Sequence, residues 1–170
     1  MSKAFVAVLM GSDSDLPTMQ STFDVLRQFD IRFEAKVTSA HRTPEATHAY
    51  VRDADRRGCA VFIAAAGMAA HLAGTVAGLT LNPVVGVPID AGTLRGVDAL
   101  LSTVQMPGGI PVASVAIGKA GAKNAGYLAA QILATADPAL RERLATERRR
   151  NAEAIAAKDA RLQERLKAGT

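Results

Sequence analysis

AFVAVLM, residues 4–10, runs directly into GSDSD, residues 11–15, and this junction decides the fold. The apolar run is short, has no polar alternation and stops at a glycine/serine/aspartate cluster, as a strand buried on both faces would. The period then changes. Leu16, Met19, Phe23, Leu26 and Phe29 recur at helical spacing. Strand, polar loop and helix in that order form the first part of a βαβ unit.

The same alternation continues outward from this junction. Arg32–Val37 reads as a second strand, bounded by Thr38-Ser39. Thr43-Pro44-Glu45 starts a helix, with a capping hydroxyl and proline at the first helical position, and Gly58 stops it after Arg57. Ala60–Ala65 (AVFIAA) is a third strand, Ala69–Leu79 a small-residue helix and Pro83–Pro88 (PVVGVP) a fourth strand. A strand near Ala113–Ile117 and a helix over Ala122–Ala134 complete the series. The spacing predicts an α/β domain over residues 1–136: a three-layer, doubly wound parallel sheet with helices on both faces.

After Asp137-Pro138 the character changes. Leu140, Leu144, Ile155, Leu162 and Leu166 share one stripe, with Asn151 at the remaining place of an 11-residue period. Residues 137–170 are expected to form one long amphipathic C-terminal helix. Its narrow seam needs a surface to bury it, and a neighbouring subunit serves as well as the chain's own body.

Charge and composition narrow the function. The formal net charge is +4, but residues 137–170 hold nine basic against six acidic residues, leaving the body nearly neutral. That argues against a broad nucleic-acid surface. No apolar run approaches the roughly 20 residues that a membrane-spanning helix needs. The N-terminus lacks the pattern of a secretory signal, and Cys59 is the only cysteine, so a reducing, cytoplasmic location is expected.

Three polar loops fall beyond strand ends, where open parallel sheets bind ligands. In Gly11–Asp15, Gly11 lets backbone approach a ligand, Ser12 and Ser14 offer hydroxyls, and free N–H groups suit an anion. Asp13 or Asp15 pairs with sugar hydroxyls or simply caps the helix. The loop matches neither the dinucleotide fingerprint nor the P-loop. In Ser39–Pro44, Arg42 can grip a phosphate bidentately and His41 can move a proton near neutral pH, although such a His-Arg pair, taken alone, is more often a solvated surface feature. In Ala65–Gly74 small residues allow close approach, and His71 is either a ligand contact or a hydrogen-bonded core histidine. His48 falls within a helix and faces solvent. The spacing of the three histidines gives no metal site, and Cys59 is not near them in sequence.

Taken together the segments are more specific than any one of them. GSDSD (11–15), SAHRTP (39–44), AAGMAAHLAG (65–74), VVGVPI (84–89) and GVDALLSTVQMPGGIPVASVAIGKAGAKNAGYLAAQIL (96–133) resemble the N5-carboxyaminoimidazole ribonucleotide mutase family in order and spacing. The resemblance covers nearly Phe5 to Ala134. It implies a flavodoxin-like fold, usually a homo-octamer, and an isomerase of purine biosynthesis. The carboxylate moves from the exocyclic nitrogen of a ribonucleotide to a ring carbon without ATP, biotin or metal, so no cofactor is expected. By position it implies that Ser12 and Asp15, beside Gly11, contact the phosphoribosyl part, that Ser39 and Arg42 hold the phosphate, and that His41 shuttles the proton. Ala66, Gly67, Met68, Ala69 and Leu72 line the base and carboxylate pocket, with His71 in support. The family usually has a second glycine where this chain has Met68, and a proline at Ala73. A related branch that uses free carbon dioxide differs at the AAHL segment, which favours the mutase.

Overall fold

The computed structural model describes residues 4–169. The chain divides into two compact units, one ending at Ile132 and one beginning at Leu133. In the first, strands β1 (Phe5–Met10), β2 (Phe33–Val37), β3 (Cys59–Ala66), β4 (Val84–Pro88) and β5 (Ala113–Ser114) alternate with helices α1 (Leu16–Gln28), α2 (Pro44–Arg56), α3 (Leu72–Ala77), α4 (Val97–Val104) and α5 (Gly118–Leu133). All four strand pairings are parallel, in the order β2-β1-β3-β4-β5. That is the flavodoxin-like order, with its topological switch point between β1 and β3.

The central strands are unbroken apolar runs because both of their faces are covered. Phe5 to Leu9 are 0% exposed, and so are Val61, Phe62 and Ile63 of β3. On one face Phe5, Ala7, Leu9, Phe62 and Ala64 pack with Val51 and Ala54 of α2 and with Leu72, Ala73 and Val76 of α3. Val6, Val8, Val61 and Ile63 point the other way, toward the layer of α1 and α5. Those two helices touch closely. The buried Thr22 hydroxyl donates to the Ala122 carbonyl at 2.6 Å, and a Cβ on Gly126 would stand 2.9 Å from that of Val25.

The predicted strands and helices fall within a few residues of the observed ones, with three differences. α3 starts at Leu72 rather than Ala69, because Met68 has a left-handed backbone (φ 57°) and the chain turns again before the helix. Thr43 sits at the N-cap of α2 but makes no side-chain cap; its hydroxyl is tied to Ser39 instead. α4 has no counterpart in the periodicity. It is eight residues long, begins at Gly96 (φ 85°) without a capping side chain, and leaves Val97, Leu101 and Val104 exposed.

The second unit consists mainly of α6 (Pro138–Ala168), where the long C-terminal helix was predicted. Asp137 caps it, accepting from the Leu140 N–H at 2.9 Å, with Pro138 in the first turn. Ile155, Leu162 and Leu166 are exposed along it. Among the described residues no helix is long and apolar enough to cross a membrane.

Candidate active site

A cleft of about 300 Å³ opens beyond the carboxyl ends of β1, β2 and β3, at the switch point. All twelve residues that the sequence nominated line it: Gly11, Ser12 and Asp15 after β1; Ser39, His41 and Arg42 after β2; Ala66, Gly67, Met68, Ala69, His71 and Leu72 at and after the end of β3. Ser14 and Ala40 complete these loops. Ala91, which follows β4, also faces the cleft and was not anticipated. Its signal was available, because the rule that placed the other loops also applies to the end of PVVGVP.

The first loop is a capped turn. The Ser12 N–H donates to an Asp15 carboxylate oxygen at 3.1 Å, and the Ser12 hydroxyl accepts from the Ser14 N–H at 3.2 Å. The Ser14 hydroxyl donates to that of Ser12 at 2.8 Å. Asp15 is 6% exposed, and burial pushes its carboxyl up from the usual 3.8, against hydrogen bonds from Ser12 and Ser14 that pull it down. Folded Asp15 therefore keeps its proton to higher pH than the unfolded chain does, and it subtracts stability progressively as pH rises above about 4. Asp15→Asn keeps an acceptor for the Ser12 N–H without the charge. Thermal melts from pH 4 to 8 are expected to show the variant gaining on wild type as pH rises; parallel curves would mean that Asp15 is not held up by burial.

The second loop is laced by neutral hydroxyls. Thr38 and Thr47, both buried, have their hydroxyls 2.7 Å apart, and Thr47 also donates to the Thr43 carbonyl at 3.1 Å. The Thr43 hydroxyl accepts from the Ser39 N–H at 3.0 Å, and the Ser39 hydroxyl accepts from the Arg42 N–H at 3.1 Å. Arg42 then crosses to the first loop, donating from Nη2 to the Gly11 carbonyl at 3.1 Å. Its guanidinium is thus held beside the serine hydroxyls of the first loop, a setting suited to a phosphate. The free N–H groups expected in that loop are not found, because the amides of Gly11, Ser12, Ser14 and Asp15 all donate within the protein.

The second and third loops meet at the two histidines. His41 Nε2 lies 2.7 Å from His71 Nδ1, with the ring planes 82° apart. One nitrogen must donate and the other accept, so at least one ring is neutral in this arrangement. His71 is therefore not buried in the core: it is exposed and hydrogen-bonded to His41. His48 stands on α2, exposed and away from the cleft, as predicted. Among the described residues no group of three or more His, Cys, Asp and Glu side chains could hold a metal ion.

The third loop makes the apolar end of the cleft. A Cβ on Gly67 would stand 2.9 Å from that of Ala91, so only glycine lets the ends of β3 and β4 approach this closely. Met68 is left-handed, a conformation that costs an L-residue roughly 1–2 kcal/mol, yet its side chain is 59% exposed. The cleft thus has a polar end of hydroxyls and one guanidinium, an apolar end of small residues, and a histidine pair among them.

Known proteins resemble this chain in sequence and in fold. A family model described as AIR carboxylase matches residues 5–168. N5-carboxyaminoimidazole ribonucleotide mutase of Mycobacterium tuberculosis is 55% identical over 158 residues, covering 93% of this chain and 90% of that protein. The mutase of Bacillus subtilis is 53% identical over 146 residues, covering 86% of this chain and 90% of the relative. Treponema denticola PurE, a crystal structure, superposes with a TM-score of 0.86 at 28% identity, covering 94% of this chain and 99% of that one.

Proposed function

This chain belongs to the AIR carboxylase family, and from that premise we propose that it is an N5-carboxyaminoimidazole ribonucleotide mutase of purine biosynthesis. The observation that carries the reaction is the His41–His71 pair, placed in a cleft with an anion-binding end and an apolar end. Ser39 and Arg42 bind the substrate phosphate; Ser12 and Asp15 take the ribose side. Ala66–Leu72 enclose the imidazole and its carboxylate.

The reaction needs little from the protein beyond a proton and a closed space. The N–C bond of the carbamate breaks, its electron pair stays on nitrogen, and nitrogen takes a proton from His41. The product of that step is carbon dioxide beside a neutral aminoimidazole. The ring carbon attacks the carbon dioxide, and the ring proton then leaves to the same histidine, which regains its starting state. His71 holds the His41 ring and fixes which nitrogen carries the proton. Protons and electrons balance without ATP, metal or any other cofactor. The small residues of the third loop hold the two fragments together and keep water from the carbon dioxide.

The test is conversion of N5-carboxyaminoimidazole ribonucleotide to its carbon-carboxylated isomer without ATP or metal. Turnover there, with none from the plain aminoimidazole ribonucleotide plus bicarbonate at matched concentration, is expected. The reverse pattern would make the protein a carboxylase using free carbon dioxide, and ribonucleotide binding without either turnover would make it a silent binding protein.

The same reading takes the protein to be a cytoplasmic homo-octamer whose partners are its own copies and a small ribonucleotide, rather than nucleic acid or membrane. Its domains are residues 1–136 and the C-terminal helix 137–170, whose exposed Ile155, Leu162 and Leu166 are covered by a neighbouring subunit. Truncation after Ala136 is expected to lower the assembly state in sedimentation analysis. An unchanged oligomer would remove the tail from assembly.

A further inference from the structure

Among the described residues three that are not glycine have positive φ: Asp30, Met68 and Arg95. Only Met68 lines the cleft. Local strain kept at a ligand-facing position calls for a use of the side chain that keeps it there. Of the lining residues only Met68 and Leu72 carry large apolar side chains, and Leu72 is buried at 2% exposure. Met68 alone therefore presents a large apolar group to the cleft and to solvent at once.

Its direction is defined. Met68 leaves the end of β3, and its Cγ lies 3.4 Å from the place a Cβ on Gly92 would occupy. Gly92 follows Ala91 in the segment after β4, so the side chain spans from one loop to the other beside the apolar wall. A Cβ on Gly92 would make ordinary van der Waals contact with it. The thioether is unbranched and polarizable, suited to folding over a small apolar guest and moving aside for a larger one.

The geometry points to Met68 as a residue that adds to the retention of carbon dioxide in this chain, where the family usually has glycine, its side chain closing the apolar end of the cleft between the two halves of the reaction. This rests on the mutase reading. Carbon dioxide is small, neutral and held by no charged contact, so only enclosure keeps it from diffusing away before the ring carbon attacks. Met68 is a positioning residue that takes no proton. Its contribution is to the partition between recapture and escape.

The test uses full-length enzyme and substrate labelled at the carboxylate carbon, with unlabelled bicarbonate and carbonic anhydrase in solution to dilute any carbon dioxide that escapes. Wild type is expected to keep most of the label in the product. Met68→Gly is expected to release several-fold more label per turnover, and Met68→Leu to return retention toward wild type. Glycine relieves the left-handed strain, so Met68→Gly folds, with a melting temperature at or above that of wild type. Equal label retention in Met68→Gly and a wild type that turns over would overturn this role alone. No turnover by wild type would overturn the mutase reading and the role with it.

Discussion

His41→Asn is expected to bind ribonucleotide about as wild type does and to turn it over roughly 10²–10⁴-fold more slowly. Asparagine can still hydrogen-bond toward His71 but cannot take up and return a proton near neutral pH. In the proposed reaction His41 acts twice, first as acid at nitrogen and then as base at carbon, so its loss blocks both half-reactions. In the same proposal binding rests on the hydroxyls and Arg42 at the other end of the cleft and is spared. The comparison needs kcat from isomer formation and Kd from titration with a non-reacting ribonucleotide. A variant with wild-type kcat would transfer the shuttle elsewhere, with His71 the first candidate, 2.7 Å away.

Arg42→Ala is expected to act in the opposite sense, weakening ribonucleotide affinity by roughly 10–100-fold while leaving most of kcat for substrate that binds. A charge-assisted hydrogen bond contributes about 1.5–3 kcal/mol, and each 1.4 kcal/mol is tenfold in affinity. The guanidinium is already anchored on the Gly11 carbonyl at 3.1 Å, so little ordering is left to the binding step. Arg42→Lys should recover only part of the loss, since an ammonium keeps the charge but not the planar fork. A kcat effect as large as the KM effect would place Arg42 at the reacting end of the substrate instead.

The sequence was legible where burial on both faces imposes a simple pattern. AFVAVLM and AVFIAA read as strands because nothing polar can stand on either side of a covered sheet, and β1 and β3 are those strands. α4 was hidden for the converse reason: Val97, Leu101 and Val104 face outward in the chain, so its pattern does not report a buried face. β5 was placed correctly but has only two residues, with Val115 adding a backbone bond to Gly86 at 3.1 Å. The three loops could be assigned to one edge from strand order alone. The 2.7 Å bond between His41 and His71 could not, because it joins residues 30 apart through the docking of two loops. Nor could the crossing of Arg42 to Gly11, which depends on how close β1 and β2 lie. Ala91 was missed because alanine carries no chemical signal; only its place beyond β4 matters.

The hydroxyl ladder through Thr38, Thr47, Thr43 and Ser39 holds the His41 loop without a single charge. Dissolved ions act on charges and leave such bonds almost untouched. Under the proposed role of Arg42, ionic strength becomes a selective control: it screens the approach of an anionic substrate to that guanidinium while the loop keeps its shape. Across conditions that change the surrounding salt concentration, such an enzyme would vary in how readily it fills but not in how fast the filled site works.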